Sequence, residues 1–104
     1  MLIVTGTFEI HPEDCRAALE AARAMAIASN DEARCHSYAF YADIDQSNLF
    51  RVFEEWEDTQ ALEDHFATPH MAVFRKTLGS LRILSRKVYR YQTDGPTELL
   101  PAGE

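Results

Sequence analysis

The alternation of apolar and polar side chains predicts four β-strands along this chain. They span residues 2–10, 34–42, 49–57 and 82–92. One face of the first strand carries Leu2, Val4, Phe8 and Ile10. Gly6 interrupts that face, and a glycine inside a strand indicates a bulge or a close approach of another backbone. The third strand places Glu54 and Trp56 on one face, because side chains two residues apart point to the same side of a strand.

Apolar residues at helical spacing predict three helices between these strands. The first begins at Pro12, since proline and acidic residues favour a first helical turn. Its buried face carries Cys15, Ala18, Leu19, Ala22, Met25 and Ala26. The second covers residues 58–67 and gathers on one face Ala61, Leu62, His65 and Phe66. The third starts with Thr68 as N-cap and Pro69 in the first turn, and it buries Met71, Phe74 and Leu78.

The second and third helices follow each other in the chain with no strand between them. Counted as one helical element, they give the element order β-α-β-β-α-β. That order predicts a ferredoxin-like α+β fold with an antiparallel sheet. Helices on one face of such a sheet leave the other face open. Aromatic and aliphatic residues occur on both faces of the last three strands, and an open face of this kind is an unusually large apolar patch for a monomer. We therefore predict a homodimer, in which two sheets pack face to face as a dimeric α/β barrel.

Length and charge limit the further possibilities. A chain of 104 residues forms one domain, which we assign to residues 1–93, followed by a polar tail over residues 94–104. The balance of 17 acidic against 10 basic residues gives a net charge of −7, which disfavours nucleic acid and anionic membranes as partners. The N-terminus lacks signal-peptide features, and no stretch approaches the roughly 20 apolar residues that span a bilayer. We therefore expect a cytoplasmic protein.

Several kinds of binding site lack their sequence signatures. The chain has only 4 glycines and none of the glycine-rich loops that hold dinucleotides or nucleoside triphosphates. His65 and His70 are five residues apart across a proline, which does not resemble a zinc motif. Cys15 and Cys35 fall on different elements, so we predict buried thiols rather than a disulfide. Neither a cofactor nor a metal ligand is therefore predicted.

His65 is the strongest candidate for a catalytic base. The helix face that it shares with Leu62 and Phe66 points toward the sheet, and an imidazole pKa of about 6.5 suits proton transfer near neutrality. The alternative is a core histidine that is hydrogen-bonded to a carbonyl or a carboxylate. Trp56 is a candidate for the same site, either as a pocket wall with an indole N–H donor or simply as the largest core side chain.

Glu54 shares the strand face of Trp56, where a carboxylate needs a partner because an unpaired buried charge is costly. A histidine or Arg86 on the last strand could be that partner, and a structural ion pair with Arg86 is the simpler outcome. His70 lies near a helix N-terminus, where it could meet an anionic oxygen or remain a surface histidine. The substrate-binding candidates besides Arg86 and His70 are His36, Tyr38, Phe66 and Phe74.

Residues 53–71 resemble the antibiotic biosynthesis monooxygenase family. In the order and spacing of that family the segment holds Glu54-Glu55-Trp56, Asp58, Ala61-Leu62, His65 and Thr68-Pro69-His70. The resemblance implies the dimeric barrel, and an enzyme that oxygenates hydroquinone-like or polycyclic aromatic substrates with O2 and without metal, flavin or haem. Such a reaction needs a base, donors for a developing oxyanion and a shielded pocket, and the candidates above can supply all three.

Other branches of the family give alternatives. Haem-degrading relatives carry an asparagine on the first strand, but residues 2–10 hold none, and His65 stands roughly where those relatives have a tryptophan. Haem degradation is therefore not expected. Asp64-His65 and Thr68-Pro69-His70 also resemble autoinducer-processing isomerases, so a cofactor-free isomerase of a small carbonyl compound is an alternative. A non-catalytic small-molecule-binding or stress dimer is the third possibility.

Overall fold

The computed structural model describes residues 1–100. Within them lie strands β1 (Leu2–Ile10), β2 (Cys35–Ala42), β3 (Leu49–Trp56) and β4 (Ile83–Gln92), and helices α1 (Cys15–Asn30), α2 (Thr59–Phe66) and α3 (Pro69–Gly79). A 3-10 turn, Pro12–Asp14, precedes α1, where the sequence predicted the first helical turn. None of these helices is long and apolar enough to cross a lipid bilayer. Residues 101–104, the end of the predicted tail, lie outside the described part of the chain.

The four strands form one antiparallel sheet in the order β2-β3-β1-β4. Central β1 pairs with β3 and β4, and β2 pairs with the outer side of β3. This arrangement confirms the ferredoxin-like α+β fold that the element order predicted. The core lies between the helices and one face of the sheet, and it includes Leu2, Val4, Phe8, Ile10, Val52, Trp56, Leu62 and Phe74.

Gly6 allows β1 and β4 to lie very close together. A Cβ atom at this position would stand 2.0 Å from the carbonyl oxygen of Lys87 and 2.5 Å from the Cα atom of Val88. No side chain fits into that space without displacing backbone. The close backbone approach suggested by a glycine within the strand is thus confirmed.

Side-chain caps fix the starts of α2 and α3. A carboxylate oxygen of Asp58 accepts a 2.8 Å hydrogen bond from the backbone N–H of Ala61, which has no partner within the helix. The Thr68 hydroxyl accepts from the backbone N–H of Met71 at 3.2 Å and donates to the carbonyl oxygen of His65 at 2.7 Å. The Thr68 side chain therefore joins the end of α2 to the first turn of α3, which carries His70.

The buried face of α1 is narrower than the sequence predicted. Met25 is almost fully buried and Ser29 is completely buried, whereas Leu19 is 37% exposed. The prediction that Leu19 is buried is wrong, because the helix turns toward the core along a line through Ala18, Met25 and Ser29 and leaves Leu19 at its edge. Alanines beside that line let the helix pack close to the sheet.

The sheet face opposite the helices mixes apolar and polar groups. Its half-buried apolar residues are Ile3, Ala39, Leu49 and Phe53, and its more exposed tyrosines are Tyr41, Tyr89 and Tyr91. Among them stand Thr5, Thr7, Ser37, Arg51 and Lys87. The face is thus less apolar than predicted.

Candidate active site

A cavity of about 560 Å³ opens between the helix-facing side of the sheet and helices α2 and α3. That volume lies within the usual range of small-molecule sites, which is roughly 300–1,000 Å³. Its walls include six of the predicted site residues: Tyr38, Glu54, His65, Phe66, Phe74 and Arg86. Most of the remaining lining is aliphatic or aromatic. The fold therefore gathers most of the predicted site around one largely apolar cavity.

His65 is held in a single orientation at the wall of this cavity. Only 1% of the residue is exposed, and its ring lies 4.5 Å from that of Trp56 and 5.7 Å from that of Tyr38, between ring centres. Nδ1 of His65 lies 2.6 Å from Oε2 of Glu32. Because a carboxylate can only accept, we assign the proton to Nδ1, which leaves Nε2 as the basic nitrogen.

The surroundings of His65 act on its pKa in opposite directions. Burial lowers the pKa below its ordinary value, since a charged imidazole is poorly solvated there. The hydrogen bond and the negative charge of Glu32 oppose that shift. The net result is a lowered pKa, so His65 is predominantly neutral, and able to accept a proton, near neutral pH.

Glu32 is a site residue that the sequence did not reveal. It lies in the turn between α1 and β2, where its backbone N–H donates to the carbonyl oxygen of Ser29 at 3.1 Å. The same oxygen that contacts His65 also lies 2.9 Å from Nε2 of His70. One carboxylate therefore joins two histidines from two different helices. An acidic residue in a polar turn carries no local signal of such a role.

Glu54 is buried on β3 at the cavity wall, with 7% of the residue exposed. One of its carboxylate oxygens accepts a 3.0 Å hydrogen bond from the indole N–H of Trp56. Burial raises the pKa of Glu54 from 4.5 to about 7, although the hydrogen bond from Trp56 opposes the shift. A substantial fraction of Glu54 is therefore protonated at neutral pH and can donate a hydrogen bond into the cavity.

The predicted ion pair between Glu54 and Arg86 is wrong. The guanidinium carbon of Arg86 instead lies 5.7 Å from the centre of the Phe8 ring, in cation–π contact. The indole N–H of Trp56 is the hydrogen-bond partner of the Glu54 carboxylate, because the two side chains are neighbours on one strand face. Arg75 of α3 also reaches the cavity and donates to the carbonyl oxygen of Phe66 at 2.9 Å. Two arginines therefore belong to the cavity lining.

His36 does not join the predicted site. The pairing of β2 with β3 shifts register between Cys35 and Ser37, so that Cys35 lies opposite Trp56 and Ser37 lies opposite Glu55. His36 is the extra residue at this irregularity and is exposed to solvent. Unbroken alternation along β2 would place His36 on the face of Tyr38, and the bulge prevents this placement.

Trp56 and His70 lie behind the cavity rather than at its surface. Trp56 is 1% exposed and packs between Tyr38 and His65. His70 contacts the carboxylate of Glu32 instead of the cavity. Trp56 thus contacts Glu54 and His65, and His70 contacts Glu32. The whole arrangement offers a fixed imidazole base, a carboxylic acid and two cationic groups around an apolar space.

Comparison with known proteins identifies the family of this chain. The family model described as antibiotic biosynthesis monooxygenase matches residues 1–77. The uncharacterized protein sll1783 of Synechocystis is 32% identical over 73 residues, which are 70% of this chain and 50% of that protein. The chain thus spans half the length of this relative.

Solved structures share the fold over nearly the whole chain. PA3566 from Pseudomonas aeruginosa has a TM-score of 0.82 at 29% identity, over 90% of this chain and 94% of its own. A Deinococcus radiodurans protein that bears the same family name has a TM-score of 0.89 at 23% identity, over 97% of this chain and 100% of its own. That second likeness shows a common fold alone. The match of the family model over residues 1–77, however, shows that the chain belongs to the antibiotic biosynthesis monooxygenase family.

Proposed function

We propose that this protein is a cofactor-independent monooxygenase of hydroquinone-like or polycyclic aromatic small molecules. The observation that carries the proposal is the Glu32–His65 pair, in which Nδ1 is bound and Nε2 remains basic beside an apolar cavity. Membership of the family and the size of the cavity support the same reading. The walls of Tyr38, Phe66 and Phe74 suit a flat aromatic ring.

In the proposed reaction, Nε2 of His65 takes the proton of a phenolic hydroxyl. The resulting electron-rich anion is oxidised by O2, which receives its electrons from the substrate itself. With a simple hydroquinone, one oxygen atom enters the ring and the other leaves as water, so that hydroquinone and O2 give hydroxyquinone and water. A positioned base of this kind contributes about 10²–10⁴ in rate.

Other groups at the cavity support the anionic stages of this reaction. Protonated Glu54 can donate a hydrogen bond to developing negative charge on oxygen. Arg75 and Arg86 place positive charge beside the cavity and favour a phenolate over a neutral phenol. The apolar lining excludes water, which strengthens both interactions. We also propose that the protein acts as a homodimer formed through the open face of the sheet.

A second candidate function is isomerisation of a small carbonyl compound. The observation that favours it is a neutral base and a carboxylic acid of pKa about 7 at one cavity wall, because an isomerase removes a proton at one carbon and returns one elsewhere. Such a reaction takes up no oxygen. It does introduce deuterium from heavy water into the product, which separates it from the monooxygenase reaction.

The experiment that tests the first proposal is an oxygen-electrode assay of a panel of hydroquinones and hydroxylated polycyclic aromatics. We expect oxygen uptake with at least one member, and a rate lowered by about 10²–10⁴ in His65→Ala. Glu32→Gln should lose about 10–10²-fold, because Nδ1 is no longer held by a carboxylate. His11→Ala removes an imidazole outside the cavity and should keep the parent rate. A folded His65→Ala protein with full turnover would show that His65 is only a core residue.

A further inference from the structure

We propose that Glu32, His65 and His70 form a binding site for one divalent cation of the zinc class. The three residues come from the turn after α1, from α2 and from the first turn of α3. Their ligand atoms, one carboxylate oxygen and two imidazole nitrogens, all lie within 4.8 Å of one another. No local motif indicates this set, because Glu32 lies 33 and 38 positions from the two histidines.

The chemistry of the three ligands selects the kind of ion. Two imidazoles and one carboxylate are a ligand set of catalytic zinc centres, which keep a fourth position for water. Mg²⁺ and Ca²⁺ prefer shells made of oxygen atoms and gain little from imidazole. The site should therefore bind Zn²⁺ or Co²⁺ and discriminate strongly against Mg²⁺.

The contacts of Glu32 with the two histidines are short because a proton occupies each position where the ion would bind. Oε2 of Glu32 lies 2.6 Å from Nδ1 of His65 and 2.9 Å from Nε2 of His70. Ligands of tetrahedral zinc, with bonds of about 2.0–2.1 Å, lie roughly 3.3 Å apart. Binding requires these two contacts to open by about half an ångström and the two imidazole nitrogens, which lie within 4.8 Å of each other, to take the same spacing. Binding would move the ring proton of each neutral imidazole from the nitrogen that holds the ion to the other ring nitrogen.

Charge and access favour a cation at this point. Among residues 1–100, no lysine or arginine nitrogen lies within 4.0 Å of the Glu32 carboxylate. With neutral imidazoles the cluster therefore carries one uncompensated negative charge. The side chains of Glu32 and His70 are 17% and 25% exposed, whereas that of His65 is 2% exposed. A cation can thus enter from the Glu32–His70 side without passing through the substrate cavity.

Metal binding and base catalysis exclude each other at this site, and this part of the inference rests on the proposed function. An ion on Nδ1 of His65 places the ring proton on Nε2, which is the nitrogen that should accept the substrate proton. The metal-bound protein then has no free base at the cavity wall. Zn²⁺ is therefore expected to inhibit turnover rather than to support it.

The binding test is titration calorimetry with protein that has been dialysed against a chelator. We expect one Zn²⁺ per chain, and no saturable binding of Mg²⁺ at the same concentrations. Glu32→Gln and His70→Ala should each weaken Zn²⁺ binding by at least about 100-fold, because loss of even an outer partner of a metal site costs 10–100-fold. His11→Ala removes a histidine elsewhere and should bind like the parent. The proposed metal site would be refuted if the parent showed no saturable Zn²⁺ binding, or if the parent and the three variants bound Zn²⁺ equally.

Two further measurements keep this inference separate from the proposed function. In ¹⁵N-resolved spectra of the imidazoles, Zn²⁺ should convert His65 to the form that is protonated at Nε2, and unchanged His65 signals would overturn the ligand assignment. In the oxygen assay, Zn²⁺ should abolish turnover in the parent, and stimulation would overturn the claim of exclusion. If Zn²⁺ binds as expected and no substrate is turned over, the metal site stands and the monooxygenase proposal fails.

Discussion

At the scale of single residues, the buried carboxyl of Glu54 makes stability depend on pH. Its pKa is about 7 in the folded protein against an ordinary 4.5, because burial disfavours the ionised form. Between these two values the folded state holds a proton that the unfolded state has released. Stability therefore decreases as pH rises from about 4.5 to about 7 and is not lowered further by this group above that range.

Glu54→Gln tests this dependence, because an amide does not ionise. The difference in pKa corresponds to about 3 kcal/mol at 1.36 kcal/mol per unit. We expect the unfolding free energy of the variant, relative to the parent, to increase by about that amount between pH 4 and pH 8. Urea denaturation of both proteins across this range, with a chelator present, measures the change. Two parallel curves would mean that Glu54 does not titrate as its burial indicates.

Sequence periodicity revealed the cavity residues that lie on regular element faces, and it missed those that depend on contacts between elements. Glu54 and His65 could be placed because a strand repeats every two residues and a helix every three or four. The role of Glu32 is defined only by contacts with His65 and His70 from distant parts of the chain. No local pattern encodes such contacts, and the predicted pairing of Glu54 with Arg86 was wrong for the same reason.

At the scale of elements, the pairing of β1 with β4 depends on the absence of a side chain at Gly6. In Gly6→Ala the added Cβ atom would collide with the backbone of Lys87 and Val88, and backbone cannot rotate aside as a side chain can. We expect the variant to lose about 3 kcal/mol or more, at the upper end of overpacking costs. Thermal and urea denaturation measure the loss.

Gly79→Ala is the matched control for this prediction. Gly79 ends α3, and no atom lies within 4 Å of a Cβ atom built there. Alanine at this position should add about 0.4–1 kcal/mol, because it restricts the unfolded chain without creating a clash. Equal effects of the two substitutions would show that the contact between β1 and β4 is looser than the structure indicates.

The elements themselves were largely predictable, because turn and cap residues mark their ends. The boundaries of the strands and of α2 differ from the predicted ones by at most one residue. The irregularity at His36 was not predictable, because it arises from how β2 pairs with β3 and not from the composition of β2. The exposed position of Leu19 likewise depends on how α1 turns against the sheet.

At the scale of the whole molecule, the single chain is less compact than its length allows. Its radius of gyration is 14.6 Å, whereas a compact chain of this length has roughly 13 Å. Its accessible surface is 6987 Å², against roughly 5,900 Å² for a monomer of this mass. The open face of the sheet presents half-exposed tyrosines to solvent.

Polar groups on the open face already bond to one another. The Ser37 hydroxyl donates to the Glu55 carboxylate at 2.6 Å, and the Arg51 guanidinium donates to the Thr5 hydroxyl at 3.3 Å. The desolvation cost of burying the face is lower because these partners stay together. The polar residues of the open face are therefore compatible with a dimer interface. The apolar residues around Phe53 can form the core of that interface.

We therefore predict a homodimer in which two copies of this face pack together and bury about 2,000 Å² or more in total. Phe53→Arg places a charge at the centre of the face, where Phe53 neighbours Thr5 and Ala39 on the adjacent strands. An unpaired buried charge is costly, so light scattering should show a parent dimer and a variant monomer at low micromolar concentration. Ile27→Arg adds the same charge at a position that is 71% exposed on α1, and this variant should stay dimeric. A parent protein that is a stable folded monomer at that concentration would refute the interface.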